Sequence, residues 1–411
     1  MLFFLSEVAS PMDGTTVGSV AIATITVQNM TTSSGSFTSG SVAGSTVSVA
    51  TVCYASLNAT DGGPVRQVVS DEVRNIIVVI NMAILCQIVS AVGVVVNVIN
   101  ICVFARLGYG EAINVTLTGL AVSDLGIVVF AVWLSICYNP LFSSLDLPFK
   151  PSEFVYLTAG LPRLSCARVS SWILASASVE RCLCITMPLT FKSIITPKRS
   201  MLYITIVFVV MAASVAPTFY TSRLVSVFEP TRNRTLTSLT FTADRFSVDN
   251  IAFAFGVFLS VTSFLSVAIF TAVLVYKLRE ATQWREKSVV VFNKGNTQLP
   301  SLTHRNKQVG KMVSLISIFF IVCFTPNTVN QLVMSLVPEF AKNGSQVNAN
   351  QVSWSFGFLL ESLNATVNFF IYLKMSSRYR DTLRMILWGR QVPEHDPRST
   401  RASGDGGTYP F

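Results

Sequence analysis

The chain has 411 residues, of which 51% are hydrophobic and only 12% charged, and its mean hydropathy is +0.56. So few charges cannot cover a water-soluble globule of this size, so the composition points to a chain that treats the bilayer as its solvent. The net charge of +9 is scattered between apolar stretches and gathers in alternate connections, which argues against nucleic-acid binding and matches the excess of Lys and Arg in cytoplasmic loops.

Residues 1–75 open with MLFFL, a run too short and too lacking in basic residues for a signal peptide. The rest of this segment is rich in Ser, Thr, Gly and Val and is expected to be a flexible extracellular tail open to O-glycosylation. Seven apolar stretches follow, at 76–104, 113–138, 154–182, 201–222, 250–277, 310–337 and 351–373. Each approaches or exceeds the roughly 20 residues a spanning helix needs, and hydrocarbon leaves backbone polar groups no partners outside a helix. The expected fold is therefore an all-α membrane protein: a seven-helix bundle over 76–373, then a short amphipathic helix and tail over 374–411.

The connections after spans one, three and five carry Arg106, then Lys192, Lys198 and Arg199, then a basic block from Lys277 to Lys307. The tail adds Lys374, Arg378, Arg380 and Arg384. These residues mark the cytoplasmic side, which puts the N-terminus outside and the C-terminus inside a plasma-membrane, multi-pass chain. N-glycosylation sequons at Asn29, Asn58, Asn233 and Asn343 all fall in segments this topology leaves outside; those at Asn114 and Asn364 fall within helices and are accidental. Arg223, Arg232, Arg234 and Arg245, after span four, run against the charge rule.

The eight cysteines lie mostly within apolar runs and read as small buried hydrophobes. With no CxxC pair, and with His304 and His395 both in polar segments, neither a metal centre nor a nucleophile–base–orienter set is visible, so no enzyme is expected.

Ionisable groups inside a membrane are costly, so their placement is informative. In span three, Arg163, Ser170, Leu174 and Arg181 share a face; the 18 residues from Arg163 to Arg181 make about five whole turns. In span seven, Glu361, Asn364, Asn368 and Tyr372 are spaced three, four and four and form a second polar stripe. Asp124 is a lone acid in span two, and span six carries Phe320, Phe324 and Pro326.

These stretches resemble the rhodopsin-like (class A) G-protein-coupled receptors over residues 76–390. Glu180-Arg181-Cys182 is similar to the family's Asp-Arg-Tyr, Leu120-Ala121-Val122-Ser123-Asp124-Leu125 matches its Leu-Ala-x-x-Asp-Leu, Cys323-Phe324-Thr325-Pro326 is close to Cys-Trp-x-Pro, and Asn368-Phe369-Phe370-Ile371-Tyr372 is close to Asn-Pro-x-x-Tyr. The resemblance implies a receptor that binds an extracellular ligand and activates a heterotrimeric G protein. Glu180 would hold Arg181 in an ion pair until activation; Phe320, Phe324, Pro326, Asn368 and Tyr372 would form the switch between ligand and G protein. Asp124, Ser170, Asn364 and Asn368 match the family's sodium pocket, with a purely hydrogen-bonded cluster as the other reading. Arrestin and a receptor kinase are further implied partners, the kinase acting at Ser288, Ser301, Thr303, Ser399, Thr400 or Ser403. No acid stands at the cytoplasmic start of span six, so raised basal activity is expected.

The chain also departs from that pattern. Tyr156 stands where the family's span-three disulfide cysteine would be, and residues 223–249 contain no cysteine; a Cys53–Cys137 bond is one replacement, a buried Cys137 thiol the other. Phe369 replaces the span-seven proline, and the tail has no cysteine for palmitoylation. The stretches LAVSDLGIVVFAVWLSICYNPLF, ERCLCITMPL and SIITPKRS resemble chemosensory receptors of gastropod molluscs, which implies detection of waterborne cues. A neuropeptide receptor of the same class is the alternative, and a ligand-gated channel or transporter a remote one.

Arg163 stands where amine receptors carry their aspartate, and Ser362 where opsins carry the retinal lysine. An anionic ligand paired with Arg163 is one reading, and an internal pair with Glu361 is the other. Trp133, Tyr156, Phe358 and Trp354 are aromatic candidates for the ligand pocket or for interface anchoring.

Overall fold

A computed structural model describes residues 67–229, 233–291, 301–340 and 344–389. Among them, seven long helices run as α1 (Asp71–Leu107), α2 (Ala112–Tyr138), α3 (Leu161–Thr186), α4 (Pro197–Thr221), α5 (Arg245–Val291), α6 (Ser301–Leu336) and α7 (Val347–Met375). A short helix, α8 (Ser377–Trp388), follows α7. All of α1, α2 and α4 to α7 are apolar and long enough to cross a membrane. The exception, α3, carries Arg163, Arg168, Glu180 and Arg181, and all four are buried. It can bear them because it packs against α2, α4, α5 and α6 and presents its charges to protein.

The bundle inverts the water-soluble arrangement. Large apolar side chains such as Val95, Val209, Ile269 and Val322 are exposed, whereas Asn97, Asp124, Arg163, Ser170, Asn364 and Asn368 are buried. Small residues let the helices close on these polar groups. A Cβ on Gly93 of α1 would lie 2.6 Å from Thr366 Oγ1 of α7 and 2.7 Å from Val128 Cγ1 of α2.

Helix ends follow local chemistry. Thr196 caps α4 by accepting from Arg199 N, with Pro197 in the first turn, and Ser376 caps α8 by accepting from Tyr379 N. Gly108 and Gly389, both at positive φ, end α1 and α8. Pro162 has no N–H to give to the preceding turn, and the chain just before it, Tyr156–Gly160, takes π-helical form. The helices outrun the apolar stretches expected from the sequence because their polar ends continue beyond the hydrocarbon. The 47 residues of α5 span about 70 Å, more than twice a bilayer's apolar thickness.

One feature was not expected. Between α4 and α5 the chain forms an antiparallel hairpin, β1 (Ser222–Glu229) and β2 (Arg234–Phe241), in register from Ser222–Phe241 to Glu229–Arg234. Two of the anomalous arginines are neutralised around it: Arg234 pairs with Asp146, and Arg245 with Asp249 at 3.1 Å. Asn233, at the turn, is exposed with φ of 48°, in the left-handed region that Asn tolerates. Asn114 and Asn364, by contrast, are buried; Asn29, Asn58 and Asn343 lie outside the described residues.

Candidate functional site

The polar residues form three layers along the bundle. In the outer layer the two sequence stripes meet. Arg163 Nη1 lies 2.6 Å from Glu361 Oε2, its Nη2 donates to the Phe358 carbonyl at 2.9 Å, and its guanidinium sits 4.4 Å from the Phe358 ring centroid. Asn327 of α6 donates to the other Glu361 oxygen. Both charged side chains are almost wholly buried, so each neutralises the other where water cannot. Of the two readings of Arg163, the structure has the internal pair.

The aromatic candidates divide. Trp133 and Phe358 pack on one apolar cluster with Met82, Leu134 and Val155, and Trp133 Nε1 donates to Thr158 Oγ1 at 2.9 Å. Trp354 packs against Phe358 in a tilted pair, with centroids 5.5 Å apart. Tyr156 faces elsewhere, toward Leu157, Val215 and Leu239 of the hairpin side.

Tyr156 holds the family's span-three disulfide position; of the two cysteines of the expected replacement, Cys137 is a free, buried thiol and Cys53 lies outside the described residues. Polar contacts tie the hairpin to residues 148–153, which precede α3. Glu153 accepts from Ser238 Oγ at 2.5 Å and from Leu239 N at 2.8 Å, Thr237 N donates to the Pro148 carbonyl, and Lys150 pairs with Glu229 at 2.9 Å.

In the middle layer, Asp124 accepts from Ser170 Oγ at 2.8 Å and from Asn368 Nδ2 at 2.8 Å. The side-chain oxygens of Asn364 and Asn368 are buried without a hydrogen-bond partner. A carboxylate with two spare amide oxygens on the adjacent helix is a donor set suited to a small hard cation such as Na⁺. On α6, Phe320 and Phe324 stack with centroids 4.1 Å apart, six and two residues before Pro326.

In the inner layer Glu180 and Arg181 are both buried but make different contacts. Glu180 Oε1 accepts from Thr116 Oγ1 of α2 at 2.9 Å and from Ser200 Oγ of α4 at 3.1 Å. Arg181 lies 5.7 Å from the Phe191 ring centroid. Neighbours on a helix point about 100° apart, which sends the acid toward α2 and α4. One oxygen of Glu180 is thus anchored by hydroxyls of α2 and α4, while its second, Oε2, accepts no hydrogen bond among the described residues. Tyr372 is buried with its hydroxyl unpartnered, against Phe104 and Tyr379 at 5.2 and 5.6 Å. Tyr379 OH donates to Asn100 Oδ1 at 2.6 Å, fastening α8 to α1, and burial pushes its phenol up, so it stays a neutral donor.

Sequence reasoning missed Arg168 and Asn100. Arg168 is 7% exposed and donates to Ser214 Oγ of α4 at 3.1 Å and to Ser260 Oγ of α5 at 3.4 Å. A buried arginine in a membrane helix was itself the available signal.

The three layers are linked by α3 and α7, which each contribute side chains to more than one of them. The chain is 26% identical over 306 residues to the growth hormone secretagogue receptor type 1 of Mustela putorius furo, covering 72% of this chain and 77% of that one. It is 27% identical over 307 residues to the same receptor of Sus scrofa, with the same coverages. A family model, the serpentine type 7TM GPCR chemoreceptor Srw, matches residues 83–390, so the chain belongs to that family of multi-pass membrane receptors, whose partners are an extracellular ligand and a G protein.

Proposed function

We propose that this receptor is a chemosensory receptor of the plasma membrane, with its N-terminus outside, that answers a small external cue by activating a heterotrimeric G protein. The observation that carries this reading is the chemoreceptor family match across the whole bundle. The orientation is supported by Lys198, Arg199, Lys277, Arg279, Lys374 and Arg378 at one set of helix ends and by the exposed sequon asparagine Asn233 at the other. The resemblance to gastropod chemosensory receptors adds waterborne compounds as the class of cue.

In this reading Trp133, Phe358 and the Arg163–Glu361 pair form the floor that a ligand meets from outside. A shift of α6 about Pro326 would move Phe320 and Phe324 and open the inner end. Arg181, Tyr372 and the cytoplasmic extension of α5 would then receive the G protein, with arrestin and a receptor kinase acting later on the same face. Asp124, Ser170, Asn364 and Asn368 would hold Na⁺ in the idle state, where it supplies the positive charge that Asp124 lacks. The names of the relatives favour a second reading, a receptor for an internal messenger such as a neuropeptide.

The test is a ligand screen on cells expressing the receptor, reading calcium and cAMP, with amino acids, organic acids and peptides. Responses to small acids support the chemosensory reading; responses confined to peptides replace it with the second.

A further inference from the structure

Arg168 is a buried cation for which the bundle supplies no counter-charge. Among the described residues no carboxylate lies within ion-pairing distance of it, whereas Arg163, five residues earlier, has Glu361. Its two hydrogen bonds go to hydroxyls, and those hydroxyls give their own protons to backbone carbonyls, Ser214 to Met211 and Ser260 to Gly256. They can therefore accept from the guanidinium without neutralising it. The remaining nitrogen, Nη2, donates to no described residue and lies against Gly256, where a Cβ would come within 2.0 Å of it. The absent side chain is what gives the guanidinium its place.

Arg168 lines a small cavity, about 20 Å³, between α3, α5, α6 and α7, with Phe320, Phe324, Asn327 and Glu361 also on its wall; the Glu361 carboxylate is taken up by Arg163 and Asn327. That is room for one water-sized species. Arg163, Arg168 and Glu361 together carry a net charge of +1 in this part of the bundle. An unpaired buried charge is costly, so a single negative charge entering the cavity would relieve it.

We propose that Arg168 is the recognition site for one monovalent anion of halide size, bound against Phe320 and Phe324. This deepens the receptor reading and rests on it for the anion's role. The cavity wall includes both rings of the switch, so an anion held there is in contact with the residues that would move.

The test is thermal unfolding of the purified full-length receptor in nanodiscs, titrated with sodium chloride and separately with sodium acetate at constant ionic strength, for wild type and Arg168→Gln. General salt effects act on both proteins alike and cancel in the difference. The expected result is a saturable rise in wild-type Tm of about 5 °C that is absent in Arg168→Gln. A rise with chloride and none with acetate, which is too large for the cavity, is the expected pattern; a rise with acetate alone overturns the proposal. No saturable rise in wild type with chloride, or an equal rise in both proteins, overturns it as well. If Arg168→Gln does not fold, Gly256→Ala serves in its place: its new Cβ must displace Nη2, and an undiminished anion response in that variant also overturns the proposal. Anion binding read this way needs no G protein, so a bound anion with no signalling would count against the receptor reading alone.

Discussion

Arg163 of α3 and Glu361 of α7 close a buried ion pair at 2.6 Å, joining the two helices that carry the polar stripes of the bundle. The side chains are 2% and 3% exposed, so each is the other's main substitute for water. Removing one partner alone, by Arg163→Ala or Glu361→Gln, leaves an uncompensated or half-bonded group and should cost about 3–5 kcal/mol. Replacing both with apolar residues should recover most of that loss. Surface expression and thermal unfolding of the two single variants and the double variant read the coupling directly. Single variants as stable as wild type would show that the pair holds nothing together.

The hairpin is clamped to the short helix before α3, Pro151–Val155, by Glu153, which takes two hydrogen bonds from β2. Glu153→Ala should cost about 1–3 kcal/mol and speed amide hydrogen exchange across 234–241. Since Cys137 is a free thiol, dithiothreitol should leave the unfolding temperature and the ligand response unchanged. Loss of stability on reduction would mean that a disulfide holds this end after all.

At the other end, Tyr379 donates to Asn100 and fixes α8 beneath α1. Tyr379→Phe keeps the ring contacts with Phe104 and Tyr372 but leaves the Asn100 oxygen without that donor, at a cost of about 1–2 kcal/mol. The expected readout is faster hydrogen exchange confined to 377–388 and the end of α1. A variant indistinguishable from wild type there would show that ring packing alone holds α8.

The Asp124 cluster predicts a cation dependence. Replacing choline chloride with sodium chloride, at fixed chloride, should raise the Tm of wild type and leave Asp124→Asn unchanged, because the amide carries no charge for Na⁺ to satisfy. Equal behaviour of the two proteins would favour the hydrogen-bonded structural cluster instead.

All seven helices were legible in the sequence because spanning a bilayer forces long apolar runs, and the polar stripes of α3 and α7 were legible because helical periodicity fixes which residues share a face. The full lengths of α5 and α6 were not, since their polar turns leave the membrane and no longer differ in composition from a loop. The hairpin carried a signal in the β-branched Val225, Val227, Thr235 and Thr237 around an asparagine turn, masked by the expectation of a loop there. Arg168 was hidden by geometry: five residues beyond Arg163, it points about 140° away from that stripe, toward α4 and α5. The different contacts of Glu180 and Arg181 could not be read from a motif, because they depend on Thr116 and Ser200 of neighbouring helices.

No acid stands in the first turns of α6, where the family's usual partner of this arginine would be, so basal signalling should be raised. A reporter assay in the absence of ligand checks this, and a silent receptor would mean that another contact restrains Arg181.

The central claim is that this bundle passes a signal from an outer site to a G protein through Arg181. It is tested most directly by guanine-nucleotide exchange on purified heterotrimeric G proteins, catalysed by the receptor in nanodiscs, with wild type compared to Arg181→Ala. The account predicts receptor-dependent exchange that is measurable without ligand, rises with a ligand from the screen, and falls at least about tenfold in the variant, equivalent to about 1.4 kcal/mol. Exchange that is no faster than without receptor for every G-protein class, or that is unchanged by Arg181→Ala, would contradict it.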